Sequence, residues 1–121
     1  MKIIITGASG FIGGHLIRKL SGMEDTEIVP LTRRKIPNLI KVSNYTDAPE
    51  GDVLIHLAED SNLKNVASRD LSYENDALST LRTLLGKKYK RIIYASSSTL
   101  YGDKSVVPHG IRDEIFAKKP Y

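Results

Sequence analysis

The sequence predicts an α/β protein in which helices cover both faces of a doubly wound parallel sheet. Short apolar segments alternate with helical patterns along the 121 residues. These apolar segments are continuous, which is typical of parallel strands buried on both faces. The first segment runs into three regularly spaced glycines, Gly7, Gly10 and Gly13, and a helical pattern follows at once. Right-handed crossovers between such strands would wind the sheet in both directions.

The element boundaries follow from these apolar patterns. Pro30 lies in the second strand and cannot donate a sheet hydrogen bond, so it is predicted to mark a strand end or an unpaired position. The third strand has the weakest pattern. The predicted strands span residues 2–6, 26–32, 39–42, 52–57 and 91–95, and the predicted helices span residues 10–21 and 72–85. The apolar helix faces are predicted to be Phe11, Leu16, Ile17 and Leu20, then Ala77, Leu78, Leu81, Leu84 and Leu85.

The glycine-rich turn after the first strand predicts a binding loop for a dinucleotide. Gly7 permits a tight turn, Gly10 leaves room for a pyrophosphate, and Gly13 allows the helix to pack closely on the strand. The helix N-terminus presents free N–H groups and a partial positive charge to the anion. The strand before the loop and the helix after it distinguish this loop from an ordinary glycine turn. The cofactor-binding positions predicted here are Gly7, Ser9, Gly10, Phe11, Ile12 and Gly13.

Length and composition exclude several classes of protein. With 121 residues, 40% of them hydrophobic, the chain is expected to form one domain with a core. It has no cysteine, which excludes disulfides, thiolate metal sites and a cysteine nucleophile. Neither a membrane span nor a signal peptide is apparent, so we expect a cytoplasmic protein without a membrane partner. The net charge of +4 is too small to favour a nucleic-acid partner.

The end of the second strand bears on which dinucleotide binds. An acidic residue about twenty residues past the glycines normally binds the ribose hydroxyls of NAD. This chain has Thr32, Arg33 and Arg34 there, with no carboxylate. Guanidinium groups suit a phosphate because their paired donors match its oxygens. We therefore expect these three residues to bind NADP, with NAD as the alternative cofactor. The other interpretation is that the arginines belong to a basic surface loop that binds no cofactor.

The serine-rich segment after the fifth strand does not fit a hydrolase. A nucleophilic serine needs a histidine base with a carboxylate behind it, and the glycine–serine–glycine elbow is missing. The histidines His15, His56 and His109 have structural explanations, and their spacing forms no metal motif. We therefore predict no metal site.

Four segments together resemble one known family. They are Thr-Gly-Ala-Ser-Gly-Phe-Ile-Gly at 6–13, Asp-Val-Leu-Ile-His-Leu-Ala at 52–58, Tyr-Glu-Asn at 73–75 and Ser-Ser-Ser-Thr-Leu-Tyr-Gly at 96–102. In this order they are similar to the extended short-chain dehydrogenases/reductases, the group of NAD(P)-dependent nucleotide-sugar epimerases and dehydratases. The resemblance covers essentially the whole chain and implies a Rossmann-type fold.

The resemblance also implies roles for individual residues. The family's catalytic serine or threonine falls on Ser97, which would hold the substrate oxygen that is oxidised or reduced. The catalytic base is the tyrosine of a Tyr-x-x-x-Lys motif, and Tyr121 lies at the family's usual distance. Thr99 would face the substrate. Leu57 and Ala58 would line the ribose–nicotinamide end of the cofactor.

The lysine of that motif would come at the fourth position after Tyr121, where the given sequence has ended. This lysine and the cofactor lower the pKa of the tyrosine, which is otherwise about 10. We therefore expect residues 1–121 to be the NAD(P)-binding Rossmann domain of a longer enzyme, truncated before the substrate-binding region and inactive alone. A truncated relative is the alternative.

The arginines after the second strand favour NADP, and the resemblance implies an epimerase, dehydratase or reductase that acts on a nucleotide sugar by hydride transfer. The resemblance implies a homodimer at full length. Two other functions stay open, namely a non-catalytic dinucleotide sensor or scaffold and a reductase of small non-sugar carbonyls. A lysine at the fourth position after Tyr121 would favour the enzyme over the sensor.

Overall fold

The computed structural model describes residues 1–59, 71–102 and 108–115. The chain divides into two units, of which the first consists of Met1–Glu59 and Ala77–Ala95. The second consists of Asp60–Asp76 and Ser96–Tyr121. The first unit contains a five-stranded sheet, and the second contains a short 3-10 helix at Ser98–Tyr101.

The predicted doubly wound parallel sheet is confirmed, and each of the five strands and two α-helices lies within about one residue of its predicted bounds. The strands are β1 Lys2–Thr6, β2 Glu27–Thr32, β3 Ile40–Lys41, β4 Val53–His56 and β5 Arg91–Tyr94, and the helices are α1 Phe11–Leu20 and α2 Leu71–Leu85. All strand pairs are parallel, in the order β3-β2-β1-β4-β5. The order reverses between β1 and β4, and in such sheets ligands bind at the carboxyl ends of the strands beside this reversal.

The core of the first unit is centred on β1. Ile4 and Ile5 have no exposed surface, and Leu54 of β4 and Leu84 of α2 are equally buried. Apolar residues on successive positions of β1 are explained by its place in the middle of the sheet, where both faces are covered. This core fixes the strand ends that carry the glycine turn.

Two predicted helix faces are partly wrong. Phe11 is 82% exposed, whereas the other apolar residues predicted on that face of α1 are partly buried. Phe11 begins α1 directly after the turn, and the close contact of the first helical turn is made by Gly13 instead. On α2, Leu78 and Leu85 are exposed while Leu84 is buried, because a helix buries only those residues that point directly at the core.

Pro30 lies inside β2 without disturbing the sheet. It is opposite Ile5 of β1, and β3 pairs with β2 only at Leu31 and Thr32. Pro30 therefore lies beyond the end of the β2–β3 pairing, where its missing N–H removes no sheet hydrogen bond. Of the two predicted alternatives, the strand end is wrong, because β2 continues to Thr32, and Pro30 is unpaired only on the side of β3.

Asp52 ties together the amino ends of the strands, at the edge opposite the glycine turn. Its carboxylate accepts a hydrogen bond from the backbone N–H of Lys2 at 2.7 Å and pairs with Lys90 Nζ at 2.7 Å. The hydrogen bond from Lys90, followed by that from Lys2, lowers the pKa of Asp52 below its ordinary value. The same contact raises the pKa of Lys90.

Candidate functional site

The turn that follows β1 requires a glycine at Gly7. Its φ angle is +70°, in the left-handed region that favours glycine. A Cβ atom at this position would lie 2.7 Å from the carbonyl oxygen of Leu57 and 3.0 Å from Cα of Ala58. The turn therefore packs directly on the backbone that leaves β4. This contact brings together three of the predicted cofactor-binding residues, which come from two distant parts of the sequence.

Gly13 and Gly10 have different surroundings within the loop. A Cβ at Gly13 would lie 2.4 Å from the carbonyl oxygen of Gly7 and 2.9 Å from Cα of Ala8. Gly13 therefore allows α1 to pack on the turn itself. Among the described residues, a Cβ at Gly10 would meet only the same oxygen, at 3.3 Å, and Gly10 is exposed. The space beside Gly10 is thus open to a ligand.

The first turn of α1 can accept an anion. Gly10 is the N-cap residue and provides no side-chain cap, and the first turn has no acidic residue. The first N–H groups of a helix have no acceptor within the helix, and the helix dipole adds partial positive charge there. Phe11 and Ile12, 82% and 63% exposed, follow immediately. The predicted loop residues therefore surround an exposed helix N-terminus.

The end of β2 is connected to the glycine loop by two hydroxyl groups. The fully buried Thr32 donates a hydrogen bond from Oγ1 to Oγ of Ser9 at 2.9 Å. The same Oγ1 accepts a hydrogen bond from the backbone N–H of Arg34 at 3.1 Å. Thr32 thus fixes the backbone of the predicted 2′-phosphate segment relative to the loop.

Arg33, Arg34 and Lys35 are all exposed after β2, but only one of the two arginines has an aromatic neighbour among the described residues. The guanidinium carbon of Arg33 lies 5.4 Å from the centre of the Tyr45 ring. A guanidinium over an aromatic face is attracted by the ring's quadrupole. Cationic groups are therefore concentrated where the sequence predicts that a 2′-phosphate binds.

His56 joins the carboxyl ends of β1 and β4 from within the core. It is 1% exposed, and its Nδ1 lies 2.7 Å from Oγ1 of Thr6. Thr6 also accepts, through both its carbonyl oxygen and Oγ1, from the backbone N–H of Leu57 at 3.3 Å. On its other side, His56 Nε2 lies 3.6 Å from Oε1 of Glu59. These contacts agree with the structural explanation given for this histidine.

The predicted catalytic residues belong to the second unit. Ser97 is partly buried, and its carbonyl oxygen accepts a hydrogen bond from the N–H of Leu100 at 3.4 Å. Thr99 lies within the 3-10 helix Ser98–Tyr101. Tyr121 lies outside the described residues. Their roles in catalysis and substrate binding stay predictions.

His109 also lies in the second unit, and its surroundings are aromatic and acidic. Its ring stacks on that of Tyr101 with centroids 4.5 Å apart and planes 11° apart. Its Nδ1 lies 3.5 Å from Oδ2 of Asp113, beyond the usual hydrogen-bond range. Asp113 instead accepts a hydrogen bond from the N–H of Gly110 at 2.8 Å.

Two features of the site were not predicted. The Arg33–Tyr45 contact joins residues that only the tertiary fold brings together. The link between Thr6 and His56 is equally non-local, although a polar residue at the end of an apolar strand is a sequence signal that it has a specific partner. Within residues 1–59, 71–102 and 108–115, no group of acidic, histidine or cysteine side chains could hold a metal ion. No helix in these ranges is long and apolar enough to cross a membrane.

Comparisons with known proteins agree with this architecture. The model of the "NAD dependent epimerase/dehydratase family" matches residues 3–121. Protein CapI of Staphylococcus aureus is 26% identical over 95% of this chain, and the match covers 43% of that protein. The dTDP-D-glucose 4,6-dehydratase of Dictyostelium discoideum is 30% identical over 84% of this chain and is covered to 30%. The chain thus spans less than half the length of these two relatives.

Solved structures show the same fold. The UDP-glucose 4-epimerase of Bifidobacterium longum, in complex with NAD+ and UDP, matches 100% of this chain and 44% of its own, with a TM-score of 0.81 and 18% identity. RMD from Pseudomonas aeruginosa, complexed with NADPH, matches 99% of this chain and 44% of its own, with a TM-score of 0.68 and 24% identity. With a family model that matches almost every residue, the chain belongs to the NAD-dependent epimerase/dehydratase family.

Proposed function

We propose that the first unit binds the diphosphate of a nicotinamide dinucleotide, with NADP preferred over NAD. The observation that carries this proposal is the geometry of the glycine turn. Side chains are excluded at Gly7 and Gly13 by backbone atoms closer than 3.0 Å, while the space beside Gly10 is open. The turn lies where the strand order reverses. A diphosphate needs this combination of close backbone approach and free helix N–H groups.

The preference for NADP is supported by the residues that follow β2. Thr32 stands where a ribose-binding carboxylate would otherwise be expected, and its hydroxyl is already bonded to Ser9. Arg33 and Arg34 follow it and are exposed. A charge-assisted hydrogen bond to a phosphate contributes about 1.5–3 kcal/mol when its geometry is good. The 2′-hydroxyl of NAD carries no charge and therefore offers the arginines no charge-assisted hydrogen bond.

Titration of the full-length protein with NADPH and NADH tests this preference. We expect NADPH to bind more tightly, and the double variant Arg33→Gln/Arg34→Gln to lose this advantage while its affinity for NADH changes little. Lys35→Gln is the matched control, since it removes a neighbouring exposed positive charge. Equal affinities in the wild type, or tighter binding of NADH, would contradict the proposal.

For the full-length protein we propose an epimerase, dehydratase or reductase that acts on a nucleotide sugar. The family, and the relative that is a dTDP-D-glucose 4,6-dehydratase, support this class of reaction. The bound cofactor would accept or return a hydride. Ser97 would hold the reacting oxygen of the substrate by a hydrogen bond, Thr99 would contact the substrate, and Tyr121 would remove the hydroxyl proton. We also propose that the full-length protein is a homodimer and that it is located in the cytoplasm.

A further inference from the structure

Arg33 and Arg34 are adjacent in sequence, yet among the residues that the structure describes only Arg33 has a side-chain partner. Its guanidinium carbon lies 5.4 Å from the centre of the Tyr45 ring. Within the described part of the chain, the side chain of Arg34 has no hydrogen bond, ion pair or ring contact. The two arginines are therefore not equivalent before a ligand arrives.

Tyr45 is a fixed partner for this contact. It is 9% exposed and belongs to the same core cluster as Val29, Leu31 and Leu54. Its ring also meets the ring of His56 edge-on, with centroids 6.2 Å apart and planes 88° apart. Because the ring of Tyr45 is packed on the core, it has little freedom to move. The position of the ring therefore determines the position of the Arg33 guanidinium in this contact.

The backbone on both sides of this contact is held as well. Tyr45 begins a 3-10 helix, Tyr45–Asp47, that is closed by a capping box. In this box Asn44 Oδ1 accepts from the N–H of Thr46, and Asp47 Oδ2 accepts from the N–H of Asn44, both at 3.1 Å. At the other end, Arg33 lies between Thr32, whose side chain is bonded to Ser9, and the N–H of Arg34, which is bonded to Thr32.

A guanidinium over an aromatic ring keeps its hydrogen-bond donors, because the attraction is to the face of the ring and uses none of them. Among the described residues, the Arg33 side chain makes no hydrogen bond or ion pair. A side chain that is already confined loses less conformational freedom when it binds an anion. Arg33 therefore combines free donors with a restricted position.

We propose that Tyr45 is a positioning residue for cofactor selectivity, holding Arg33 so that Arg33 rather than Arg34 provides most of the preference for a 2′-phosphate. This inference rests on the proposed binding of NADP and deepens it. It assigns unequal roles to two arginines that the sequence alone treats alike, and it gives a function to a tyrosine outside the glycine loop.

The test measures the ratio of the dissociation constants for NAD+ and NADP+ in the full-length protein. Tyr45→Leu should lower this ratio by about two- to fivefold, the size expected for loss of an exposed cation–π contact. Tyr45→Phe is the matched control because it keeps the ring, and its ratio should stay near that of the wild type. A general loss of structure would weaken both cofactors together and leave the ratio unchanged.

Because Tyr45 is buried, a second substitution separates charge attraction from packing. Pentafluorophenylalanine at position 45 has nearly the shape of phenylalanine but a reversed ring quadrupole, so it should lower the ratio as Tyr45→Leu does. Arg33→Gln should lower the ratio by about tenfold or more, and Arg34→Gln should lower it less. In the Arg33→Gln background, Tyr45→Leu should have no further effect on the ratio, whereas it should keep its full effect with Arg34→Gln.

Several outcomes would overturn the inference while leaving the proposed function intact. A wild type that prefers NADP+ but shows the same ratio in Tyr45→Leu and Tyr45→Phe would remove Tyr45 from cofactor selection. A larger effect of Arg34→Gln than of Arg33→Gln would assign the phosphate to Arg34. A wild type without preference for NADP+ would instead refute the proposed preference on which this inference rests.

Discussion

Gly7, Gly10 and Gly13 share a residue type but need it for three different reasons. Gly7 has a positive φ angle and touches the backbone after β4. Gly13 has an ordinary helical position, but backbone atoms of the turn occupy the place of its Cβ. Gly10 has neither restriction, so its glycine is explained by the ligand proposed to lie beside it. Substitutions should separate these reasons.

Gly10→Val should abolish dinucleotide binding and lower the free energy of unfolding by only about 1 kcal/mol, the scale of a poorer N-cap. Gly13→Ala should lower that free energy by about 1–3 kcal/mol, because a Cβ at 2.4 Å from a backbone oxygen forces the helix away from the turn. Cofactor titration and urea denaturation measure the two effects. Gly14→Ala is the matched control, since no atom of the described part of the chain lies within 4 Å of a Cβ there. Normal binding by Gly10→Val would contradict the assignment of the loop.

Among single residues, the sequence predicts those whose role depends only on neighbouring positions in the chain. The glycine spacing and the missing carboxylate after β2 could be recognised in the sequence because each depends on a few neighbouring positions. The contact between Tyr45 and Arg33 could not be predicted from the sequence, since it exists only once β3 and its following turn have packed beside β2. The exposure of Phe11 was missed because helical periodicity shows which side is apolar but not how far the covering layer extends.

The strands and helices were predicted closely because a buried parallel strand leaves a continuous apolar signal. The pairing of β1 with both β2 and β4 agrees with the predicted doubly wound sheet, although the strand order itself was not predicted. The carboxylate contacts that join the strand starts were not predicted. Asp52 receives donors from Lys2 and Lys90, and only the assembled sheet brings these residues together.

The Asp52 contacts predict a pH-dependent difference in stability. The folded pKa of Asp52 lies below its ordinary value of 3.8, so its contribution is present above that pH and is lost as pH falls through the folded pKa. Asp52→Asn should lack this contribution. Urea denaturation at a series of pH values should therefore show a difference from the wild type that is largest near neutrality and shrinks below about pH 4.

Asp76→Asn is the control for this series. Asp76 is an exposed carboxylate on α2 with no hydrogen bond or ion pair among the described residues. Its stability curve should run parallel to that of the wild type. Parallel curves for Asp52→Asn as well would show that the negative charge of Asp52 does not stabilise the folded sheet.

On the scale of the whole molecule, the proposed functions are divided between the two units of the chain. The glycine turn and the arginines belong to the first unit, and Ser97 and Tyr121 belong to the second. This division predicts that cofactor affinity and turnover respond to different substitutions. The site residues of both units stay predictions from the sequence, and those of the second unit depend on a resemblance rather than on a physical pattern.

Ser97→Ala and Tyr121→Phe in the full-length protein should each lower kcat by about a hundredfold or more, the usual contribution of a general acid or base. The dissociation constant of the cofactor should change little in both variants. Ser96→Ala, at an exposed neighbouring serine, is the matched control and should keep its turnover. Near-normal turnover of Tyr121→Phe would remove Tyr121 from the mechanism.

The packing of Gly7 on Leu57 and Ala58 has a consequence for the newly made chain. Synthesis proceeds at about 5–20 residues per second, so the glycine turn leaves the ribosome several seconds before the backbone that supports it. During that time the glycine turn has been synthesised, but the backbone of Leu57 and Ala58 on which it packs has not. A dinucleotide would therefore bind and stabilise only chains in which β4 has already joined β1. Cofactor shortage would then leave more of the young chains open to proteases, without any change in how fast they are made.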